Sequence, residues 1–308
     1  MSVCIAAICY EDDQPRIVLC RDWKGEIAGV GSTETIAKEH AISKDWIALL
    51  ADNISRSQEL CVRYQYHLKT QPFTEQNLGT EVRKVFHEYK KALADSYLKS
   101  TYGISFDHLI TNGRDSIGEK FTTQCLEDIS RLTVNSQLIL AGFIEGSRPL
   151  VGAEYREREA MICTVSEMNE GDPVTVDEEF SAIGSGHTIA RAMLCLREQE
   201  IQCSLMQTIY AVYEAKLMTL KVPGVGEAMS IEVFYPDGTM KALSDNGFDR
   251  CFALFRRFGP KLWRSTDEKS QKRAMKWFDI DDSYLEDFSD DLESAVGRAK
   301  QIEEGQTK

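Results

Sequence analysis

The sequence predicts an α+β fold in which two β-sheets lie face to face and a pair of helices covers each outer side. Three observations carry this. The elements run strands, two helices, strands, two helices, strands. Several strand-length runs are apolar at consecutive positions, as strands covered on both faces are. The helical segments carry amphipathic stripes that need a sheet to lie on.

Residues 3–10 and 16–23 form the first hairpin, around Glu11-Asp12-Asp13-Gln14-Pro15. Gly25, Gly29 and Gly31 punctuate a further extended stretch, and Ile36 to Ile42 and Trp46 to Ala51 complete a five-strand start. A helix over 53–69 carries Ile54, Cys61, Tyr64 and Leu68. The next, over 74–98, carries Leu78, Val82, Val85, Phe86, Tyr89, Leu93 and Tyr97, with Thr74 placed to cap it. Residues 99–133 are polar and mixed, and read as an insertion or lid with a helix near 117–131. Strands return at Gln137 to Ile144, Leu150 to Tyr155, Ala160 to Val165 and Val174 to Ile183. Helices follow at 187–199 and 204–220. The second opens on a Ser204/Gln207 capping box and buries Met206, Ile209, Tyr213, Leu217 and Leu220. Ser230 to Tyr235 and Thr239 to Leu243 make a last hairpin around Pro236-Asp237-Gly238.

The chain therefore divides into a domain at 1–245 and an extension at 246–308. The extension is basic over 256–276 and acidic over 279–293. It reads either as paired charge blocks or as a solvated, partly mobile, partly helical tail. Phe255, Trp263, Trp277, Phe278 and Phe288 favour docking of part of it.

With 308 residues and a formal charge of −13, the chain lacks the basic footprint of a nucleic-acid or anionic-membrane binder. Nine scattered Cys, with no Cys-x-x-Cys pair and no Cys/His cluster, imply reduced buried thiols and no metal site. The run from Val3 to Cys9 has no basic leader and stops at Glu11-Asp12-Asp13, so it reads as neither signal peptide nor membrane span. The expected compartment is the cytoplasm. No Walker or Rossmann fingerprint is present, so no nucleotide or other cofactor is implied. His40, His67, His87, His108 and His187 are isolated and read as satisfied or surface residues.

The chemistry gathers at the chain start. Removal of Met1 gives Ser2 both a hydroxyl and a free α-amine, a nucleophile and a base in one residue. The amine's ordinary pKa of about 8 lies near working pH. Such a nucleophile needs a cation, a group to hold that cation, and an oxyanion donor. Asp22 ends the second strand and Lys38 follows sixteen residues later. As a strand residue, Lys38 either faces water or forms a buried functional ammonium. Gly184-Ser185-Gly186 reads from its residues alone as a tight strand-to-helix turn.

The stretches Ile17-Val18-Leu19-Cys20-Arg21-Asp22-Trp23-Lys24, Lys38-Glu39-His40-Ala41-Ile42 and Trp46-Ile47-Ala48-Leu49-Leu50-Ala51-Asp52 resemble the proteasome and HslV-type family of N-terminal nucleophile hydrolases. So do Leu138 to Phe143, Phe180 to Gly186 and the Pro223-Gly224-Val225-Gly226 loop, so that the resemblance covers most of 2–245. It implies a four-layer αββα sandwich. It also implies a proteasome-type endopeptidase in a ring of copies of this chain, acting on peptide or unfolded-protein substrates, with an ATPase partner left open. On this resemblance Ser2 is the nucleophile, Asp22 the supporting acid and Lys38 the lysine that lowers the nucleophile's pKa. Ser185 and Gly186 lie beside the terminal amine, and Asp52 supplies the oxyanion N–H. Gly25, Ile36, Leu50 and Ile54 line the substrate side-chain pocket. The sequence departs from the family in four places: Ser2 replaces a Thr, Asp52 a Gly, and Val222 and Val225 an Asp and a Ser. These changes keep a second reading open, a non-catalytic ring or scaffold subunit.

Overall fold

A computed structural model describes residues 2–23, 25–27, 31–33, 37–146, 158–167, 172–259 and 285–287. Among them are seven helices and thirteen strands in antiparallel sheets, a mixed α+β fold. A six-stranded sheet contains β1 (Cys4–Glu11), β2 (Gln14–Asp22), β10 (Phe180–Ile183), β11 (Met229–Phe234), β12 (Met240–Leu243) and β13 (Leu285–Asp287), in the order β10-β1-β2-β11-β12-β13. A five-stranded sheet runs β5-β6-β7-β8-β9, from Glu39–Ala41, Trp46–Asp52, Ser136–Glu145, Arg158–Ser166 and Val174–Asp177. The short pair β3 (Gly25–Ile27) and β4 (Gly31–Thr33) stands apart.

The consecutive apolar runs follow from where alternate side chains go. From β1 and the residue before it, Val3, Ile5, Ala7 and Cys9 join a cluster with α5 (His187–Leu196) and α6 (Leu205–Thr219). The intervening Cys4, Ala6 and Ile8 join a different cluster with Ile47, Leu49, Ala51, Ile139, Ala141 and Phe143 of the five-stranded sheet. On that sheet's other face Ala48, Leu50, Leu138 and Leu140 meet α1 (Ile54–Leu68) and α2 (Leu78–Tyr102) through Cys61, Tyr64, Val82 and Phe86.

Several expectations need correcting. The first turn is only Asp12-Asp13, both left-handed at φ 51° and 58°; the strands pair right up to it, Glu11 opposite Gln14. Aspartate tolerates that conformation better than most residues. Thr74 is not the cap of α2. Asn77 holds that position, and Thr74 bonds it reciprocally, Thr74 N–H to Asn77 Oδ1 at 2.7 Å and Asn77 N–H to Thr74 Oγ1 at 3.3 Å. The insertion is helical nearly throughout. α2 runs on to Tyr102, and α3 (Phe106–Ile117) and α4 (Glu119–Ser130) bury Leu98, Leu109 and Cys125 in a small core of their own. The expected strand over 174–183 is two strands in different sheets, with only Glu178 and Glu179 between them. The expected strand at Leu150 to Tyr155 lies outside the described residues, as does most of 246–308.

The capping box of α6 forms as expected. This helix, however, is buried on nearly all sides, because α7 (Asp245–Phe258) also covers it. Phe248, Cys251 and Phe255 of α7 pack into the same core as β1 and α6. The first turns of the 246–308 segment are thus docked helix, and β13, from its acidic block, pairs with β12. No described helix is long and apolar enough to cross a membrane.

Two glycine substitutions test the packing. At Gly142, opposite Trp46 on β6, an added Cβ falls inside contact distance of Asp45's carbonyl and the Trp46 ring. Gly142→Ala should lower the urea unfolding free energy by about 1–3 kcal/mol. Gly79, at the start of α2, has only an ordinary 3.4 Å neighbour in Val176. Gly79→Ala should leave stability unchanged or raise it by up to about 1 kcal/mol.

Candidate active site

β1 and β2 pair from Cys4↔Arg21 onward, which sets Ser2 and Val3 beside Asp22 at one end of the six-stranded sheet. Asp22 is fully buried. Its Oδ2 accepts the Val3 N–H and the Gly226 N–H, each at 3.1 Å, and its Oδ1 accepts the Lys38 ammonium. Lys38 is 2% exposed, so the water-facing reading of this residue is excluded. It lies just before β5 rather than inside it. Its carbonyl still accepts the Leu50 N–H at 2.8 Å, which ties it to the five-stranded sheet. The Asp22–Lys38 pair therefore bridges the ends of the two sheets.

Ser2 is 2% exposed, and its Oγ is buried without a hydrogen-bond partner among the described residues. Its carbonyl is held by the Ser185 hydroxyl at 3.2 Å and the Gly186 N–H at 3.3 Å. Gly184 completes the cradle. Its φ is 85°, and a Cβ there would collide with the Ser2 carbonyl and lie 3.1 Å from Ser2 Oγ, so both conformation and close approach require glycine. The Gly184-Ser185-Gly186 turn is thus the seat of Ser2 as well as the lead into α5.

Asp52 ends β6 at φ 66°, a conformation glycine adopts without strain. Its carboxylate accepts the Gln137 side-chain N–H at 2.7 Å, and the other end of that amide accepts the Gly184 N–H at 3.1 Å. Gln137 therefore links Asp52 to the Ser2 seat. Sequence reasoning passed over it, because a Gln at the head of a strand looks like an exposed end.

Of the four residues expected to line a substrate pocket, the structure brings Leu50 and Ile54 into one core. Leu50 is fully buried in the core beneath α1 and α2, and Ile54 is partly buried against that core. What Leu50 offers on the other side is its carbonyl, which accepts the Cys4 thiol at 3.4 Å. Gly25 pairs with Thr33 across β3 and β4, and Ile36 lies outside the described residues. Val225 is buried and Val222 partly buried, both in the α6 core. The amine-side supports expected of an Asp and a Ser are therefore apolar here.

A second lysine also reaches the site. Lys216 of α6 is fully buried and donates to the Gly226 carbonyl at 2.6 Å. Its signal was legible: it stands three residues after Tyr213 and seven after Ile209, on the apolar stripe of its helix. Burial lowers its pKa from the ordinary lysine value. Burial also pushes the neighbouring Cys4 thiol up to about 12, against the pull of Lys38. Among the described residues no group of three His, Cys, Asp or Glu could hold a metal ion. His187 borders the Ser2 seat, its Nδ1 2.8 Å from the Gly184 carbonyl.

Compared with known proteins, the chain matches no protein-family model and no curated sequence.

Two measurements test this description. Lys38→Met leaves a buried carboxylate without its cation and should destabilise the fold by about 3–5 kcal/mol in urea unfolding, part of which Asp22→Asn in the same chain should restore. Seven of the nine thiols are buried, with Cys195 exposed and Cys203 half-buried. A chromogenic disulfide reagent at pH 8 should react promptly with about two thiols in the native protein and with all nine after denaturation.

Proposed function

We propose that this chain is an N-terminal nucleophile hydrolase of the proteasome type, a peptidase whose Ser2 is exposed by removal of Met1. The observation that carries the reading is the Asp22 carboxylate, shared between the Lys38 ammonium and the main-chain N–H of Val3, directly beside a buried Ser2. A surface lysine would need no such arrangement. The packing of helices, sheet, sheet and helices supports reading the fold as a four-layer αββα sandwich. The left-handed Asp52 supports placing it at a position where the family carries glycine.

In this mechanism the Ser2 Oγ attacks a substrate carbonyl while the Ser2 α-amine takes its proton through water. Lys38, held by Asp22, stabilises the ionised Oγ, and the Asp52 N–H donates to the oxyanion. The amine returns the proton to the leaving amine. Water then hydrolyses the ester and regenerates Ser2. Loss of one oxyanion donor costs about 10²–10³ in rate, so the Asp52 amide matters more than its side chain. Copies of the chain assemble as a ring in the cytoplasm and enclose peptide or unfolded-protein substrates.

A second reading, a non-catalytic ring subunit, draws support from Val222 and Val225, which give a terminal amine no polar partner. Intact mass of the purified protein separates the two. The catalytic reading expects a species lacking Met1, hydrolysis of fluorogenic peptides with apolar P1 residues, none in Ser2→Ala, and activity within about tenfold of the parent in Ser2→Thr. A dominant species that keeps Met1, or equal activity in Ser2→Ala and the parent, overturns it. A monomeric mass in solution would contradict the ring.

A further inference from the structure

We propose that Lys216 is a second cationic element of the Ser2 site, joined to it through both polar groups of Gly226. This rests on the reading of Ser2 as nucleophile, and it adds a residue that the resemblance does not supply.

Two independent paths lead from Lys216 to Ser2. Along the first, Lys216 Nζ holds the Gly226 carbonyl at 2.6 Å, and the Gly226 N–H holds Asp22 Oδ2 at 3.1 Å. The same Oδ2 accepts the N–H of Val3, the residue after Ser2. Along the second, the Lys216 carbonyl accepts the Thr219 hydroxyl at 2.7 Å. Thr219 packs against Gly186, where an added Cβ would lie 3.0 Å from both Thr219 and Val3. Gly186 in turn holds the Ser2 carbonyl. One turn of α6 thus buttresses the Ser2 seat from the side opposite Lys38.

The charge count gives this turn its effect. The groups that face Lys216 are Cys4 of β1, Cys20 and Asp22 of β2, and Lys38; on α6 itself, Glu214 is already paired with Arg197. Burial pushes both thiols up, so they stay neutral near pH 7. Lys38 is paired with Asp22, whereas the Lys216 ammonium meets the Gly226 carbonyl, so it adds a cation beside that pair. The charged groups beyond Cys4 and Cys20 are Arg21, Glu39 and Glu232, paired with one another. A nearby positive charge favours an ionised hydroxyl and an unprotonated amine, the two forms the reaction needs.

The test compares the parent with Lys216→Met and with Lys216→Gln, which is polar but uncharged. In both variants the acid limb of the kcat/KM profile should move up by about one pH unit, with KM unchanged and activity recovering at high pH. If both profiles keep the parent's midpoint and merely scale down, or match the parent outright, Lys216 is structural and the proposal falls. A second readout needs no activity. With carbon-13 at the lysine ε positions, Lys216 should titrate below the ordinary lysine value and should rise on Lys38→Met. An ordinary midpoint that ignores Lys38→Met overturns the proposal even where Lys216→Met does not fold. A parent with neither hydrolysis nor Ser2 acylation refutes the nucleophile reading instead, and the titration then decides the Lys216 coupling alone.

Discussion

A carboxylate with no access to water must be met by charge and by hydrogen bonds, and Asp22 is such a group. It takes Lys38 from beside one sheet, the Val3 N–H from its own hairpin partner, and the Gly226 N–H from the loop between α6 and β11. Those demands fix three separate stretches of chain at one point. They also explain why Lys38 and Gly226, which come from different layers, end up sharing a neighbour. Net stability is not the evident reason for such a pair, since a buried ion pair is often no better than packed apolar groups. Its position beside a buried serine hydroxyl is the reason to read it as chemistry.

The seat of Ser2 is built from main-chain contacts more than from side chains. Ser185 and Gly186 hold its carbonyl, Gly184 leaves room for it, and Gln137 pins Gly184 and Asp52 together. Side-chain identity can drift at such a site while the frame persists. The loop that carries the apolar Val222 and Val225 presents the Gly226 N–H to Asp22 through its backbone.

Much of this was legible in the sequence, and the residues show why. Val3 to Cys9 and Ile17 to Cys20 are apolar at every position, and the structure sends alternate residues into two cores. Asp22 and Lys38 were recognisable through the resemblance. From its residues alone Lys38 was ambiguous, because a lysine in a strand does not declare which way it points. The split of 174–183 between two sheets was illegible, since only Glu178 and Glu179 separate the two strands and neither is a turn-forming Gly or Pro. The helix expected near 117–131 forms as α4, whereas α3 was hidden by polarity, because it buries little beyond Leu109. Gln137 and Lys216 were passed over for opposite reasons: one looked like an exposed strand end, the other like an exception on an apolar face.

The passage from β9 to β10 has a mechanical consequence. The chain leaves the five-stranded sheet at Asp177 and enters the six-stranded sheet at Phe180, where β10 pairs directly with β1. Two residues give no slack for the sheets to part. Parting the two sheets as bodies, which would carry Lys38 away from Asp22, would also pull β10 off the strand that leads from Ser2. Ser2 and Lys38 are thus coupled mechanically, against separation of the sheets, as well as electrically.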